Sequence, residues 1–112
     1  EMGEEMEQTF GQRLRELRRA AGISQRDLAD RIGVDFSYIS KLENDRLPPP
    51  AGDTTEKICR ELGVSSDELL ASTGKVPTQI KEVFTDPAAL GFIRKAHELG
   101  LTSDEWKRLT SR

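Results

Sequence analysis

The sequence predicts an all-α protein: a five-helix bundle over residues 9–75, followed by a small C-terminal helical appendage at 76–112. Apolar residues recur at spacings of three and four, which is the period of a helix face buried on one side. Glycine closes one periodic run after another, at Gly22, Gly33, Gly63, Gly74 and Gly100. No alternating apolar and polar stretch marks a strand, and no internal repeat interrupts the pattern.

The first helix runs over about 9–20, with Phe10, Leu14, Leu17 and Ala21 on one face. Ser24, three residues before Asp27, has the spacing of a capping box, and Leu28, Ala29 and Ile32 form the inner face of a second short helix. Asp35 is placed to cap a third helix, with Ile39 and Leu42 inward and Ser37, Tyr38, Ser40 and Lys41 directed elsewhere. Pro48, Pro49 and Pro50 remove backbone donors and hold the chain extended, so a rigid loop follows. Asp53 with Glu56 starts a fourth helix carrying Ile58, Cys59 and Leu62, and Ser65 or Ser66 starts a fifth carrying Leu69 and Leu70.

After Pro77 the spacing predicts a short helix at 78–84, a second opened by Asp86 and Pro87 and closed by Gly100, and a third opened by Thr102 with Glu105. The apolar residues Leu90, Phe92, Ile93, Ala96, Leu101, Trp106 and Leu109 exceed what two or three isolated helices bury. They are expected to form a dimer or partner interface.

The composition limits the chemistry. A chain of 112 residues with 5% aromatics supports a small helical core and leaves little material for a deep substrate pocket. Cys59 is the only cysteine, so neither an intrachain disulfide nor a sulfur-rich zinc site is available, and it is expected to be a small buried hydrophobe. His97 is expected at a solvated or interface position. No phosphate-binding glycine loop, metal-ligand cluster or nucleophile beside a base is present, so no cofactor, no metal and no catalytic residue is expected. Nothing resembles a membrane span or a signal peptide, which implies a cytoplasmic, nucleoid-associated protein.

A net charge of −3 argues against a nucleic-acid partner until its distribution is read. Residues 1–8 hold Glu1, Glu4, Glu5 and Glu7 with no base and are expected to be a disordered acidic tail or an expression remnant. Residues 9–47 instead hold eight bases against six acids, an excess of two positive charges.

From Gln25 the chain reads QRDLADRIGVDFSYISKLEN, and each structural position of a helix-turn-helix has a suitable residue. Ala29 is small where two helices cross, Gly33 suits a left-handed turn, and Leu28, Ile32, Val34, Ile39 and Leu42 lock the pair onto the first helix. Residues 10–74, and AGISQRDLADRIGVDFSYISKLENDRLPPP above all, resemble the lambda-Cro and Xre family of DNA-binding domains.

The resemblance implies that the third helix enters the major groove of double-stranded DNA. Asp35, Phe36, Ser37, Ser40 and Lys41 would then lie at base edges or adjacent backbone, with Gln25 beside a phosphate. Lys41 suits guanine acceptors, Ser37 and Ser40 are short donors, and Phe36 suits a thymine methyl. Tyr38 and Asn44 suit phosphate or sugar, while Arg26 and Arg46 add attraction independent of sequence. Arg18 and Glu43 correspond to a family pair that forms a structural salt bridge, and Arg13, Arg15 and Arg19 read as a solvated face that also steers towards DNA. The triple proline departs from many family members.

The tail ending in LTSDEWKRL is similar to the hook-like dimerisation helices of SinR-type repressors. Together these resemblances imply a transcription regulator, a repressor acting as a homodimer on a palindromic operator. The alternative is a DNA-anchored antitoxin or immunity-type module whose C-terminal helices bind a protein partner.

Overall fold

The computed structural model describes residues 8–111, so the expectation for the acidic tail falls, apart from Gln8, outside the described residues. The chain divides into two compact units, with the boundary between Pro77 and Thr78. All regular structure among the described residues is helical.

The first unit contains α1 (Phe10–Ala20), α2 (Gln25–Ile32), α3 (Phe36–Glu43), α4 (Gly52–Leu62) and α5 (Asp67–Thr73). Its core is one cluster of Leu14, Leu28, Ala29, Ile32, Ile39, Leu42, Ile58 and Leu62, with Phe10, Leu17, Ile23, Val34, Tyr38, Leu47 and Val64 packed against it. Each fully buried Leu or Ile contributes about 1.5–3 kcal/mol of transfer free energy, so this cluster is the main source of the unit's stability. Cys59, Leu69 and Leu70 are buried where α4 and α5 meet. Burial pushes the Cys59 thiol pKa up, with a smaller contribution from the Glu56 charge. Cys59 therefore behaves as a small hydrophobe and not as a thiolate.

Helix ends follow local chemistry, with four departures from the sequence-based expectation. Ala21 is exposed and caps α1 instead of continuing its inner face. At α1 the full capping box is Thr9 with Gln12, whereas the Ser24 hydroxyl accepts from Asp27 N–H at 3.0 Å and the Asp27 carboxylate turns to Arg31 instead of completing a box. Asp35 occupies the N-cap of α3 but makes no capping hydrogen bond, leaving its carboxylate exposed. α4 begins at Gly52 after Ala51, ahead of Asp53. Gly52 lies at a close crossing: a Cβ there would lie 2.7 Å from Pro77 N and 2.8 Å from Val76 C, so only glycine fits. The buried Pro77 thus belongs to the first unit, and Lys75 Nζ donates to Pro49 O at 2.8 Å, fastening the proline loop.

A second close crossing joins α1 to the end of α3. A Cβ on Gly11 would lie 2.4 Å from Leu42 O and 2.6 Å from Glu43 O. Asp45, the residue just past α3, takes the left-handed conformation with φ 58°. Its carboxylate accepts from Gly11 N–H at 3.0 Å and from Thr9 Oγ1 at 2.6 Å. One aspartate therefore terminates α3 and places negative charge at the amino end of α1, where free N–H groups and the helix dipole favour it.

The second unit contains α6 (Thr78–Lys81), a 3-10 turn (Glu82–Thr85), α7 (Pro87–Leu99) and α8 (Ser103–Thr110). The expected helix at 78–84 thus tightens into 3-10 geometry after Lys81. Asp86 caps α7 by accepting from Ala88 N–H at 2.9 Å, with Pro87 at the first helical position, and Thr102 with Glu105 forms a complete capping box on α8. Its helices contain no fully buried residue. Leu90, Ile93, Ala96 and Leu101 are half-buried. Phe92, Leu99 and Leu109 are 68%, 63% and 61% exposed, and Ile80, Val83, Phe84 and Trp106 are exposed to a lesser degree. His97 is exposed in the last turn of α7. No helix among the described residues is long and apolar enough to cross a membrane.

The two glycine environments predict opposite effects of the same substitution. Gly11→Ala drives a methyl into the α3 carbonyls and is expected to cost about 3 kcal/mol. Gly91→Ala, on α7 with nothing within 4 Å of the added carbon, is expected to gain about 0.5–1 kcal/mol. Urea unfolding of the two full-length variants checks both signs.

Candidate nucleic-acid interface

The turn between α2 and α3 is built on Gly33, whose φ of 76° is left-handed. Val34 N–H donates back to Ala29 O at 2.9 Å, closing the helix end while the Val34 side chain drops onto the core. Ala29 is 1% exposed at the helix crossing, and Ile39 and Leu42 seal the inner side of α3. Residues 36, 37, 40 and 41 share the opposite side of that helix. Phe36, Ser37 and Lys41 are exposed there and Ser40 is half-buried.

The orientation of α3 is fixed by one buried carboxylate. Glu43 is 1% exposed, and Arg18 of α1 grips it with Nε to Oε2 at 2.5 Å and Nη2 to Oε1 at 3.0 Å. Gln25 Nε2 from α2 donates to Oε1 at 2.9 Å, and Arg15 Nε reaches the same oxygen at 3.4 Å. Arg18 Nη1 also donates to Ile23 O at 2.8 Å, tying in the α1–α2 connection. Burial raises the Glu43 pKa, but hydrogen bonds from Arg18 and Gln25 together with the Arg18 charge outweigh it, so the carboxyl is held below its ordinary value.

This network changes the standing of several sequence-predicted residues. The side-chain amide of Gln25 donates to Glu43, so one of its two N–H donors is already used within the fold. Asn44 is likewise committed: its Oδ1 accepts from Arg15 Nη2 at 2.8 Å and its Nδ2 donates to Ser40 O at 2.9 Å. Tyr38 is half-buried against the core instead of pointing away from it, and burial raises its pKa. Arg13 pairs with Glu16 and with Glu68, and Arg31 with Asp27, so those cations belong to local ion pairs.

Arg19, Arg26, Lys41 and Arg46 are exposed and make no ion pair with any described residue. Arg26 stands with its guanidinium carbon 4.7 Å from the centre of the Phe36 ring. Arg26, Lys41 and Arg46 thus leave positive charge uncommitted at the amino end of α2, on α3 and just past its end, although the whole chain is acidic; Lys57 and Arg60 of α4 are likewise exposed and in none of these ion pairs. Sequence reading grouped Arg19 with Arg13 and Arg15, because a helical wheel does not reveal which arginines find carboxylates across the fold.

The chain belongs to the helix-turn-helix domain family, whose model matches residues 9–72, and its class is that of Xre-type DNA-binding transcription regulators. It is 38% identical over 76 residues to RghRB, an uncharacterised HTH-type transcriptional regulator of Bacillus subtilis, and the match takes in 65% of this chain and 55% of that protein. The chain therefore spans about half the length of that relative. SinR of Bacillus licheniformis, an HTH-type transcriptional regulator, is 29% identical over 105 residues, covering 88% of this chain and 95% of SinR. Among solved structures, SinR in complex with DNA superposes on 55% of this chain and 98% of its own with a TM-score of 0.52 and 35% identity.

Removing the central carboxylate tests the network. Glu43→Ala leaves the Arg18 guanidinium buried without its partner and is expected to cost about 3–5 kcal/mol. Because the folded pKa of Glu43 is depressed, its contribution is complete above the unfolded glutamate value of about 4.3 and is lost as pH falls through the folded value. Chemical unfolding across the acid range is expected to show that loss in the wild type and a flatter profile in Glu43→Gln.

Proposed function

We propose that the chain is a sequence-specific regulator of transcription, a repressor that occupies a palindromic operator as a dimer and reads each half-site with α3 in the major groove. The observation that carries this reading is the division on α3 itself. Its only buried acid is neutralised by Arg18, while the side with Phe36, Ser37, Ser40 and Lys41 stays open among uncommitted cations. Lys41 serves as the long donor to guanine acceptors, with Ser37 and Ser40 as short donors. Asp35, exposed and free of capping, accepts from an amino group such as cytosine N4 and repels phosphate. Arg46 and the Tyr38 hydroxyl contact backbone, and Gln25 contributes its main-chain N–H at the start of α2.

Dimerisation is assigned to the second unit. Seven large apolar side chains of residues 78–111 are exposed, and 34 residues whose helices contain nothing fully buried cannot supply much stability alone. The same exposure also favours a second reading, in which these helices hold a protein antagonist while the first unit anchors the complex to DNA.

Selection from a random duplex pool at near-physiological salt tests the DNA reading, because low salt reports chiefly phosphate attraction. The expected product is a palindrome with half-sites about 10 base pairs apart. On that site Lys41→Ala should cost about 1–3 kcal/mol and relax one position, whereas Arg46→Ala should weaken all sequences alike and lower the salt slope by about 1. Equal losses from both variants on cognate and random DNA would remove the proposed division of labour.

Sedimentation of the full chain separates the two readings of the tail. A wild-type dimer that Phe92→Glu with Leu109→Glu converts to monomer supports pairing through these residues. A wild-type monomer turns the assignment to the protein antagonist.

A further inference from the structure

Arg26 is the second residue of α2, where the positive end of the helix dipole disfavours a cation. It has no carboxylate partner among the described residues, and its neighbour Asp27 is paired with Arg31. Its guanidinium lies instead over the face of Phe36, the first residue of α3. That ring is 40% exposed, an uncommon state for a phenylalanine beside an otherwise closed core. Two features unfavourable to the isolated fold, a cation at a helix start and an exposed aromatic, therefore meet in one contact.

A guanidinium held over an aromatic ring by cation–π attraction spends none of its N–H donors on a carboxylate, so they stay available to a ligand. The contact also removes much of the rotamer freedom of a long side chain, so less order is lost when those donors engage a ligand. Attraction to phosphate by charge alone needs no fixed direction, whereas a guanidinium fork held in one direction suits a paired acceptor.

We infer that Arg26 and Phe36 form one specificity-determining unit, in which the Phe36 ring holds Arg26 at the leading end of α3 so that its paired donors read a guanine through N7 and O6. This moves Arg26 from the sequence-independent contacts to the base-reading set, and gives Phe36 the task of positioning it. The inference rests on the proposed entry of α3 into the major groove, and it adds a second guanine contact beside the one assigned to Lys41.

The experiment compares pools selected from random duplex DNA by the full-length wild type, Arg26→Ala, Arg26→Lys and Phe36→Leu, all at near-physiological salt. The wild-type pool should contain a guanine in each half-site whose preference falls on the order of 5- to 150-fold in Arg26→Ala. Arg26→Lys should not restore it, because an ammonium keeps the charge and loses the planar fork. Phe36→Leu should weaken the same guanine, and Arg26→Ala with Phe36→Leu should lose no more there than Arg26→Ala alone.

A motif that survives unchanged in Arg26→Ala overturns this inference while leaving groove reading intact. So does a uniform loss over all sequences that Arg26→Lys repairs, which marks a phosphate contact. A wild type that enriches no motif, with its helical signal and melting intact, removes the groove reading and this inference with it. Both side chains are exposed, so thermal melts of the variants should match the wild type.

Discussion

The arrangement of the first unit depends on how a buried anion is satisfied. Moving a carboxylate out of water costs several kcal/mol, comparable with what one or two core leucines contribute, so Glu43 is tolerated only where donors converge on it. Those donors come from α1, through Arg15 and Arg18, and from α2, through Gln25. Apolar packing among Leu14, Leu28, Ile39 and Leu42 pulls the three helices together but has little directional preference. The Arg18 fork has a great deal, because its two N–H bonds fit the carboxylate in one relative orientation. A buried ion pair is a weak stabiliser compared with a hydrophobic replacement, and its contribution here is registry: it sets the angle at which α3 presents its outer side.

The same network decides which charges remain outside it. Arg15, Arg18 and the Gln25 amide are consumed by Glu43, Arg13 by Glu16 and Glu68, and Arg31 by Asp27. Among the cations left uncommitted are Arg26 at the amino end of α2, Lys41 on α3 and Arg46 just past it. Overall charge is therefore a poor guide for this chain: four of its acids precede residue 9, and most acids of the helical bundle are engaged internally. The field met by an approaching polyanion is local, since charges farther than about 8–10 Å are screened at physiological salt.

Features set by local periodicity and local turn chemistry were legible in the sequence. Leu14, Leu28, Ile32, Ile39, Leu42 and Ile58 are core residues because their three-and-four spacing places them on inner faces. Gly33, Gly63, Gly74 and Gly100 end helices in the left-handed conformation because no other residue adopts it so readily. What the sequence concealed depends on partners far along the chain. Gly11 reads as an unfavourable residue in a helix until Leu42 O and Glu43 O are found against it, and Asp45 reads as a loop aspartate until its carboxylate is found at the start of α1. Gln25 and Asn44 read as free polar groups, and only the assembled helices show that each already donates within the fold. The Arg26–Phe36 cation–π contact likewise joins residues that no periodic rule pairs.

The two units close their cores to different degrees. In the first, apolar side chains from four helices meet in one cluster, and the polar atoms at its edge are largely bonded within it. Among the described residues the exception is Thr55 Oγ1, buried without a partner. In the second, capping is as well formed as anywhere in the chain, with a complete box on α8 and a proline start on α7, yet the apolar side chains have little to pack against. Caps contribute about 1 kcal/mol each and specify where a helix begins, but they do not replace a core. Any surface that covers Phe92, Leu99 and Leu109 therefore supplies what the unit lacks, and covering them and ordering the helices become one equilibrium. Under the proposed dimerisation, association through residues 78–111 is expected to respond steeply to concentration.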